Sequence, residues 1–418
     1  IMVDIEIAKK INEAGGRLYL VGGAVRDEIL RKKISDEDYS VVGLSEEEFI
    51  KIFPNAIARG KNFKVFDIDK REFALARKEK KTGLGHKEFE IICDKNISIQ
   101  EDLERRDITI NAIAKDVLTG ETIDPYNGMK DLKNGIIRAT SSKFKEDPLR
   151  VYRVARFAAV YGFTVDDKTI KMMNSLKEEL PLLSKERVFV EFKKALDAEV
   201  PSIFFEVLKK AKVLDVHFKE IYDLIGAKQP IKYHPEGDSY NHTLIALDNS
   251  AKLTKSTEIR FCTLVHDLGK GRTPKEMYPH HYGHEERGIE PLKFLSKRIG
   301  IPTKWIKSAK TAILEHMKGG NFYIMTPAKK VSFIERLDKS TLGLEGLQIV
   351  VYADKCRNLE DNIKNKKYDF AKIGRRMLEQ INGENIKETY QIETGIELGR
   401  KLHEERVKWM KEEVKNNE

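Results

Sequence analysis

Two carboxylates, Asp36 and Asp38, stand two residues apart at the entry to a β-rich run, DYSVVG at 38–43. In a strand such a pair shares one face. Two like charges on one face repel unless a cation lies between them. Hard oxygen donors suit Mg²⁺, which also takes up triphosphate oxygens. A pair of such ions about 4 Å apart activates an attacking hydroxyl and neutralises a departing pyrophosphate. Just upstream, LYLVGGAVRD at 18–27 sets Gly22 and Gly23 between a strand and a helix. Glycine there lets a phosphate approach the backbone at a helix N-terminus. Gly23 and Arg26 are therefore candidate nucleotide contacts, Arg26 by forking onto phosphate oxygens.

Further along, Glu146-Asp147-Pro148 precedes Arg150, Arg153 and Arg156. Asp147 suits an N-cap and Pro148 the first helical position. The three arginines cover an arc of roughly 120° and give one helix face three positive charges. Six of the ten histidines fall between 234 and 284. His242, His266-Asp267 and Asp354 lie on separate helical stretches. Neutral imidazoles with hard carboxylates make a first-row metal site. His281, His284 and His316 are candidates for a second ion. Isolated histidines such as His217, His234 and His403 fit core or capping roles.

These residues need elements to hold them. RLYLVGG (17–23), DYSVVG (38–43), KVFDID (64–69) and REFALAR (71–77) read as strands, and EEEFIKIF (46–53) as a helix. Residues 78–90, charged and carrying Gly83 and Gly85, read as a loop. Beyond about residue 143 the strand signal disappears and apolar spacing becomes helical. The expected boundaries are a head at 1–142, a helical neck and body at 143–238, a histidine-rich metal domain at 239–360 and a helical tail at 361–418. The tail reads as a basic amphipathic helix with Lys401, Arg406, Lys408 and Lys411.

The chain has 418 residues, long enough for several cores. Lys plus Arg number 76 against 67 for Asp plus Glu, a net +9 that suits nucleic acid, nucleotides or acidic surfaces as partners. No apolar run approaches the ~20 residues of a membrane span, so a membrane role is not expected. Three distant cysteines, Cys93, Cys262 and Cys356, form neither a disulfide framework nor a thiolate zinc motif. With no leader pattern, a cytoplasmic location is expected.

GGAVRD followed by the Asp36/Asp38 pair resembles the nucleotidyltransferase head of the polymerase-β superfamily. More narrowly it is similar to the class II tRNA nucleotidyltransferases, the CCA-adding enzymes, and to the related bacterial poly(A) polymerases. EDLERRDITINAIA (101–114), IDPYNGMKDL (123–132) and EDPLRVYRVARFA (146–158) extend the resemblance. It implies an α+β fold, a polymerase-β-type head with a mixed sheet, followed by helices. It also implies that Asp147 and Arg150 read the incoming base. Cytosine and adenine each present an amino donor beside a ring-nitrogen acceptor, which a carboxylate and a guanidinium complement. Uracil and guanine present the reverse, and a buried unpaired charged group rejects them.

By the same resemblance Arg106, Arg153 and Arg156 hold the nucleotide, and Asp107 and Asn111 lie within reach on one helix with Arg106. Asp102, Glu104 and Arg105 read as helix surface. Glu72 is a weaker candidate for a third carboxylate. The 78–90 segment occupies the place of a flexible loop that helps switch C to A addition.

The order His242, His266-Asp267, Asp354, with Lys270 after HDLGK, resembles the HD phosphohydrolase superfamily. Some CCA-adding enzymes carry such a domain with phosphatase, 2′-nucleotidase and 2′,3′-cyclic phosphodiesterase activity. The resemblance thus implies addition of CCA to the tRNA acceptor end from CTP and ATP. Mg²⁺ serves the head, and a divalent transition metal, with Ni²⁺ and Mn²⁺ among the candidates, serves the HD domain. An A-adding enzyme or poly(A) polymerase shares the same head. A phosphohydrolase with a nucleotide-sensing head is a rival of another class. Monomer and homodimer both remain open.

Overall fold

The computed structural model describes residues 3–34, 36–61, 63–83, 89–355, 357–393 and 395–417. The chain divides into two compact units, Ile1–Glu191 with Glu206–Val213, and Phe192–Phe205 with Leu214–Glu418.

The first unit is built on a mixed seven-stranded sheet. Its strands are β1 (Arg17–Val21), β2 (Asp38–Val42), β3 (Ile57–Arg59), β4 (Val65–Ile68), β5 (Arg71–Leu75), β8 (Ala114–Asp116) and β9 (Thr122–Ile123), in the order β3-β4-β5-β2-β1-β8-β9. Only β2 and β5 pair in parallel; the other neighbours are antiparallel. Strand alternation divides the residues cleanly. Leu18, Tyr39, Val41, Phe66 and Phe73 face helices α1 (Asp4–Glu13) and α3 (Glu46–Ile52) in one core. There the Tyr39 and Phe73 rings stack with centroids 4.9 Å apart. The opposite face carries Val21 and Ala114 with Ile99 and Leu103 of α4 (Ile99–Glu104). Asp38 and Ser40 alternate onto this second face, while Asp36 precedes β2 and is not placed by its alternation.

Three expectations change. Residues 78–90 are not simply a loop. β6 (Arg77–Lys81) pairs with β7 (Phe89–Cys93), Arg77 opposite Cys93 and Lys81 opposite Phe89. The charge run hid a strand because its lysines are paired outward, Lys78 with Glu101 and Lys81 with Glu179. Gly83 follows β6, while Gly85 lies outside the described residues. Strands also persist past residue 143: β10 (Ile136–Ile137) pairs in parallel with β11 (Thr164–Val165). Finally, α4 ends at Glu104, so Arg106, Asp107 and Asn111 do not share a helix. Asp107 turns its carboxylate onto the next backbone amide, Ile108 N, at 2.8 Å. A short acidic side chain competing for the backbone in this way ends a helix.

Helices α2 (Gly23–Ile29), α5 (Gly128–Asn134) and α6 (Arg150–Tyr161) complete the parts of this unit that matter below. The second unit has no strand among its described residues. A cluster of Phe192, Phe204, Phe205, Phe218 and Phe261 anchors it. Burying each such ring contributes on the order of 2 kcal/mol. Arg260, 1% exposed, gives its guanidinium to the carbonyls of Leu196, Ala198, Ala251 and Thr254. This charge ties together the C-terminal ends of the Lys185–Leu196 and Ser239–Leu253 helices. The tail forms the Ile396–Asn416 helix. Three of its cations meet carboxylates: Arg406 pairs with Glu335, and Lys401 and Lys408 with Glu405. Among the described residues, no helix is long and apolar enough to cross a membrane.

Candidate active sites

In the first unit the site begins at the turn after β1. Gly22 has φ +68°, a conformation that other residues rarely adopt. A Cβ on Gly22 would stand 3.2 Å from Arg106 Nη1, and one on Gly23 would stand 3.1 Å from Arg26 Nη2. The glycine pair thus lets two guanidinium groups close over the turn. Asp38 opens β2 beside it, pairing in register with Val21 on one side and with Glu72 on the other. Registered neighbours share a face, so Glu72 stands beside Asp38. Crowding by surrounding protein lifts the Asp38 carboxyl above its ordinary pKa; Arg106 opposes this and Asp36 adds to it. Two mutually repelling carboxylates near one cationic side chain fit a hard divalent ion.

Asp102 is no surface residue. It is 1% exposed, takes Ser40 Oγ at 3.4 Å and Arg77 N at 3.0 Å, and faces Arg105 at 3.1 Å and Arg106 at 3.5 Å. Burial resists its ionisation, but Arg105 and Arg106 outweigh burial and hold its pKa below the usual value. Asp102 thereby fixes Arg106, whose buried Nε has no hydrogen-bond partner among the described residues.

A second chain of contacts links the remaining polar residues. Arg26 Nη1 donates to Asn111 Oδ1 at 2.6 Å and Asn111 Nδ2 donates to Asp107 at 3.2 Å. Arg153 Nε donates to Asp107 at 2.7 Å, and Arg156 Nε to Glu191 at 2.7 Å. Burial works against the Asp107 carboxylate, yet Arg153 and Arg150 hold it far below the ordinary carboxylate pKa. Arg26 also lies over the Tyr161 ring, 5.1 Å from its centroid. Arg26, Arg153 and Arg156 are therefore already oriented by protein partners.

At the start of α6 the helix begins two residues later than the sequence suggests. Asp147 Oδ1 accepts from Leu149 N at 3.0 Å and its Oδ2 accepts from Arg187 at 3.3 Å. Arg150, 8% exposed, donates to the carbonyls of Lys143 at 2.7 Å and Arg105 at 2.5 Å. Sequence reading missed Asp102, Glu191 and Arg187. Each gains its meaning from a partner more than two dozen residues away, which no local pattern announces.

The second unit brings His242, His266, Asp267 and Asp354 together, with one ligand atom from each within 4.8 Å of the others. They come from separate places: His242 from the Ser239–Leu253 helix, His266 and Asp267 from just past the Thr257–Val265 helix, Asp354 from the end of the Gly343–Asp354 helix. Asp354 Oδ1 lies 2.8 Å from His242 Nε2 and 3.1 Å from His266 Nε2. Both carboxylate oxygens of Asp267 are buried without a well-directed hydrogen bond among the described residues. Burial disfavours a charged His266, but Asp267 and Asp354 outweigh it and push the imidazole up to about 9. The pair of buried carboxylates thus calls for positive charge, and a mixed nitrogen–oxygen donor set fits a divalent transition metal.

Asp267 also reaches a second group: its Oδ1 lies 3.2 Å from His284 Nε2 and 3.3 Å from His316 Nε2. His281 does not join it. Its ring nitrogens face Thr273 Oγ1 at 2.6 Å and the Lys228 carbonyl at 2.7 Å, which commits it to holding the loop. Gly269 permits the arrangement, since a Cβ there would fall 1.8 Å from the His284 carbonyl oxygen.

Glu236, which the sequence did not single out, accepts from His242 Nδ1 at 2.8 Å and faces His234 at 3.0 Å. Burial raises the Glu236 carboxyl, but the two histidines and a backbone amide outweigh it and hold it at about 2. A carboxylate behind a ligand histidine fixes its tautomer and aims the other nitrogen. Above the cluster lies a cavity of about 790 Å³, with Lys232, Lys270, Lys355, Arg357 and Lys367 in its wall.

Three family descriptions match the chain: a poly(A) polymerase head domain at residues 18–138, a probable RNA- and SrmB-binding site of polymerase A at 162–224, and an HD domain at 239–359. The multifunctional CCA protein of Mannheimia succiniciproducens is 43% identical over 352 residues, covering 80% of this chain and 83% of that protein. The multifunctional CCA protein of Acinetobacter baylyi is 39% identical over 399 residues, covering 94% and 96%. Among solved structures, a CCA-adding enzyme with CTP has a TM-score of 0.65 at 20% identity, covering 98% of this chain and 92% of that one. The Bacillus stearothermophilus CCA-adding enzyme with CTP has a TM-score of 0.58 at 20% identity, covering 98% and 96%. These structural likenesses bear on the fold alone.

Proposed function

The chain belongs to the multifunctional CCA protein family, nucleotidyltransferases with an HD domain, and from that premise we propose that it adds CCA to the 3′ end of tRNA from CTP and ATP. The observation that carries the reading is Asp38 at the head of β2, on the sheet face shared with the glycine turn and the Asp102-held Arg106. Asp36 and Asp38 would hold Mg²⁺, which when bound supplies charge neutralisation at the triphosphate and activation of the attacking hydroxyl. The glycine turn admits phosphate oxygens to the backbone. Arg106 offers its unpartnered Nε to them. Arg26, Arg153 and Arg156, kept in place by Asn111, Asp107 and Glu191, form a cationic wall that needs little reorganisation on binding.

Asp147 and Arg150 read the base in this proposal. Asp147 is held by Arg187 and by its own turn, and Arg150 spends two of its five donors on carbonyls, so both are rigid. A rigid acceptor and donor discriminate cytosine and adenine from uracil and guanine by leaving the wrong edge unpaired. tRNA is held by shape and backbone, since side chains cannot read an A-form major groove.

In the HD unit, His242, His266, Asp267 and Asp354 would hold a divalent transition metal, which when bound supplies an activated water for phosphoester hydrolysis. The cationic cavity above them suits phosphate esters. Phosphatase, 2′-nucleotidase and 2′,3′-cyclic phosphodiesterase action on damaged tRNA ends are the activities proposed for it. Blocked ends of that kind cannot accept a nucleotide.

The test is incubation of the full chain with a tRNA transcript lacking its CCA end and with CTP, ATP or both. Two cytidines followed by one adenosine are expected. Adenosine alone identifies an A-adding enzyme or a poly(A) polymerase, and no incorporation sinks the reading.

A further inference from the structure

One buried side chain in the cavity of the HD unit has a donor with nothing to give it to. Gln229 is 5% exposed and lines the cavity above the His-Asp cluster. Its Oε1 accepts from Lys270 Nζ at 2.8 Å. An ammonium group has donors only, so the amide cannot be turned the other way round. The NH₂ is therefore directed away from Lys270, and Nε2 is buried with no hydrogen-bond partner among the described residues. Lys270 Nζ in turn lies 2.8 Å from Asp267 Oδ2. Gln229 is thus one side chain removed from the bridging carboxylate.

A buried amide without an acceptor is costly and calls for an explanation. The surrounding wall holds Lys232, Lys355, Arg357 and Lys367 besides Lys270, against Glu236, Asp267, Glu285 and Asp354, and an anionic oxygen answers both the unpaired donor and these cations. We propose that Gln229 is a substrate-binding residue of this cavity, donating from Nε2 to a non-bridging oxygen of a phosphoryl group. The proposal rests on the phosphohydrolase reading of the HD unit. A neutral amide has an advantage at this place: it grips phosphate without drawing Asp267 away from a bound cation, as another cation would. Its contribution is to hold the ester, and no proton or bond change passes through it.

The experiment uses the full chain loaded with Mn²⁺ or Ni²⁺. Gln229→Ala and Gln229→Glu are compared with the parent in p-nitrophenyl phosphate hydrolysis, in inorganic phosphate binding by calorimetry, and in metal content. Gln229→Ala is expected to raise KM and the phosphate Kd by about tenfold, with kcat within about twofold and metal content unchanged. Gln229→Glu, which loses the donor and adds a negative charge, is expected to raise both further. Phosphate affinity equal to the parent's in Gln229→Ala overturns the proposal. A fall in kcat and metal content with KM unchanged also overturns it, since Gln229 then only supports Lys270. If the parent binds phosphate but hydrolyses no ester, the phosphohydrolase reading fails, and the phosphate affinities alone decide for Gln229. If the parent neither binds nor hydrolyses, both ideas fall. Nucleotide addition to tRNA at the parent's rate shows that each variant is folded.

Discussion

The face of the first unit's sheet that carries Asp38 and the His-Asp cluster of the second unit meet the same electrostatic problem in opposite ways. Around the sheet, most of the arginines are oriented by a protein carboxylate or carbonyl before any ligand arrives. Asp102, Asp107 and Glu191 do that work. In the helical unit, His242, His266 with Asp267, and Asp354 converge from three segments, and the Asp267 oxygens are left without a directed hydrogen bond among the described residues. The first arrangement suits a triphosphate that enters and leaves at each turnover. The second suits a cation that stays. A preorganised cationic wall costs little to reuse, whereas a cluster of buried donors is stable chiefly when occupied.

The largest expected effect breaks the comparison outright. Asp36→Ala with Asp38→Ala should lower nucleotide addition by at least about a hundredfold while ester hydrolysis continues. Asp267→Ala should do the reverse, abolishing hydrolysis and metal retention while addition continues. Paired tRNA-extension and phosphatase assays on both variants read this out. Loss of both activities in either folded variant would refute two independent centres.

A smaller effect sharpens the idea that arginines are oriented in advance. Asp102→Asn removes the buried charge beneath Arg105 and Arg106 and should cost about 3 kcal/mol of stability. The KM for CTP should rise more than kcat falls, because Arg106 loses its fixed position. Chemical denaturation and steady-state kinetics measure the two. Unchanged nucleotide affinity would mean that Asp102 is structural only.

The smallest effect separates a buried histidine outside the His-Asp cluster from those within it. Burial, aided by Arg298, pulls the His217 pKa down to about 4. The unfolded chain then binds a proton that the folded chain refuses between about 6.5 and 4. Stability from this site is complete above about 6.5 and is lost as pH falls towards 4. His217→Gln should flatten that part of the stability–pH curve. An unaltered slope between pH 4 and 6.5 would remove His217 from the account.

Much of this was legible in the chain itself. Asp36 and Asp38, the glycine pair and the arginines of α6 are singled out by short local patterns, and the candidate ligands His242, His266, Asp267 and Asp354 by their order along the chain; the structure gathers these four candidates into one cluster. What escaped reading has a common character. Asp102 looks like a surface acid of a short helix until Ser40 and Arg77 are folded over it. Glu236 and Gln229 lie in an irregular segment with no period to mark them. The strand at 77–81 was masked by its own lysines.

The sequence by itself determined which groups are present and which neighbours along the chain share a face, since helix and strand periods are properties of the backbone. That was enough to set Arg150, Arg153 and Arg156 along one helix; the acidic pair and the four metal-ligand candidates rested on motif resemblance as well. Only the tertiary structure decided which charges are buried, which donors are already spent, and that Asp267 belongs to two candidate ligand groups while His281 turns to Thr273 and the Lys228 carbonyl. Those outcomes depend on contacts between residues tens of positions apart, and on close approaches such as Gly269 to His284, which arise only when packing brings the segments together.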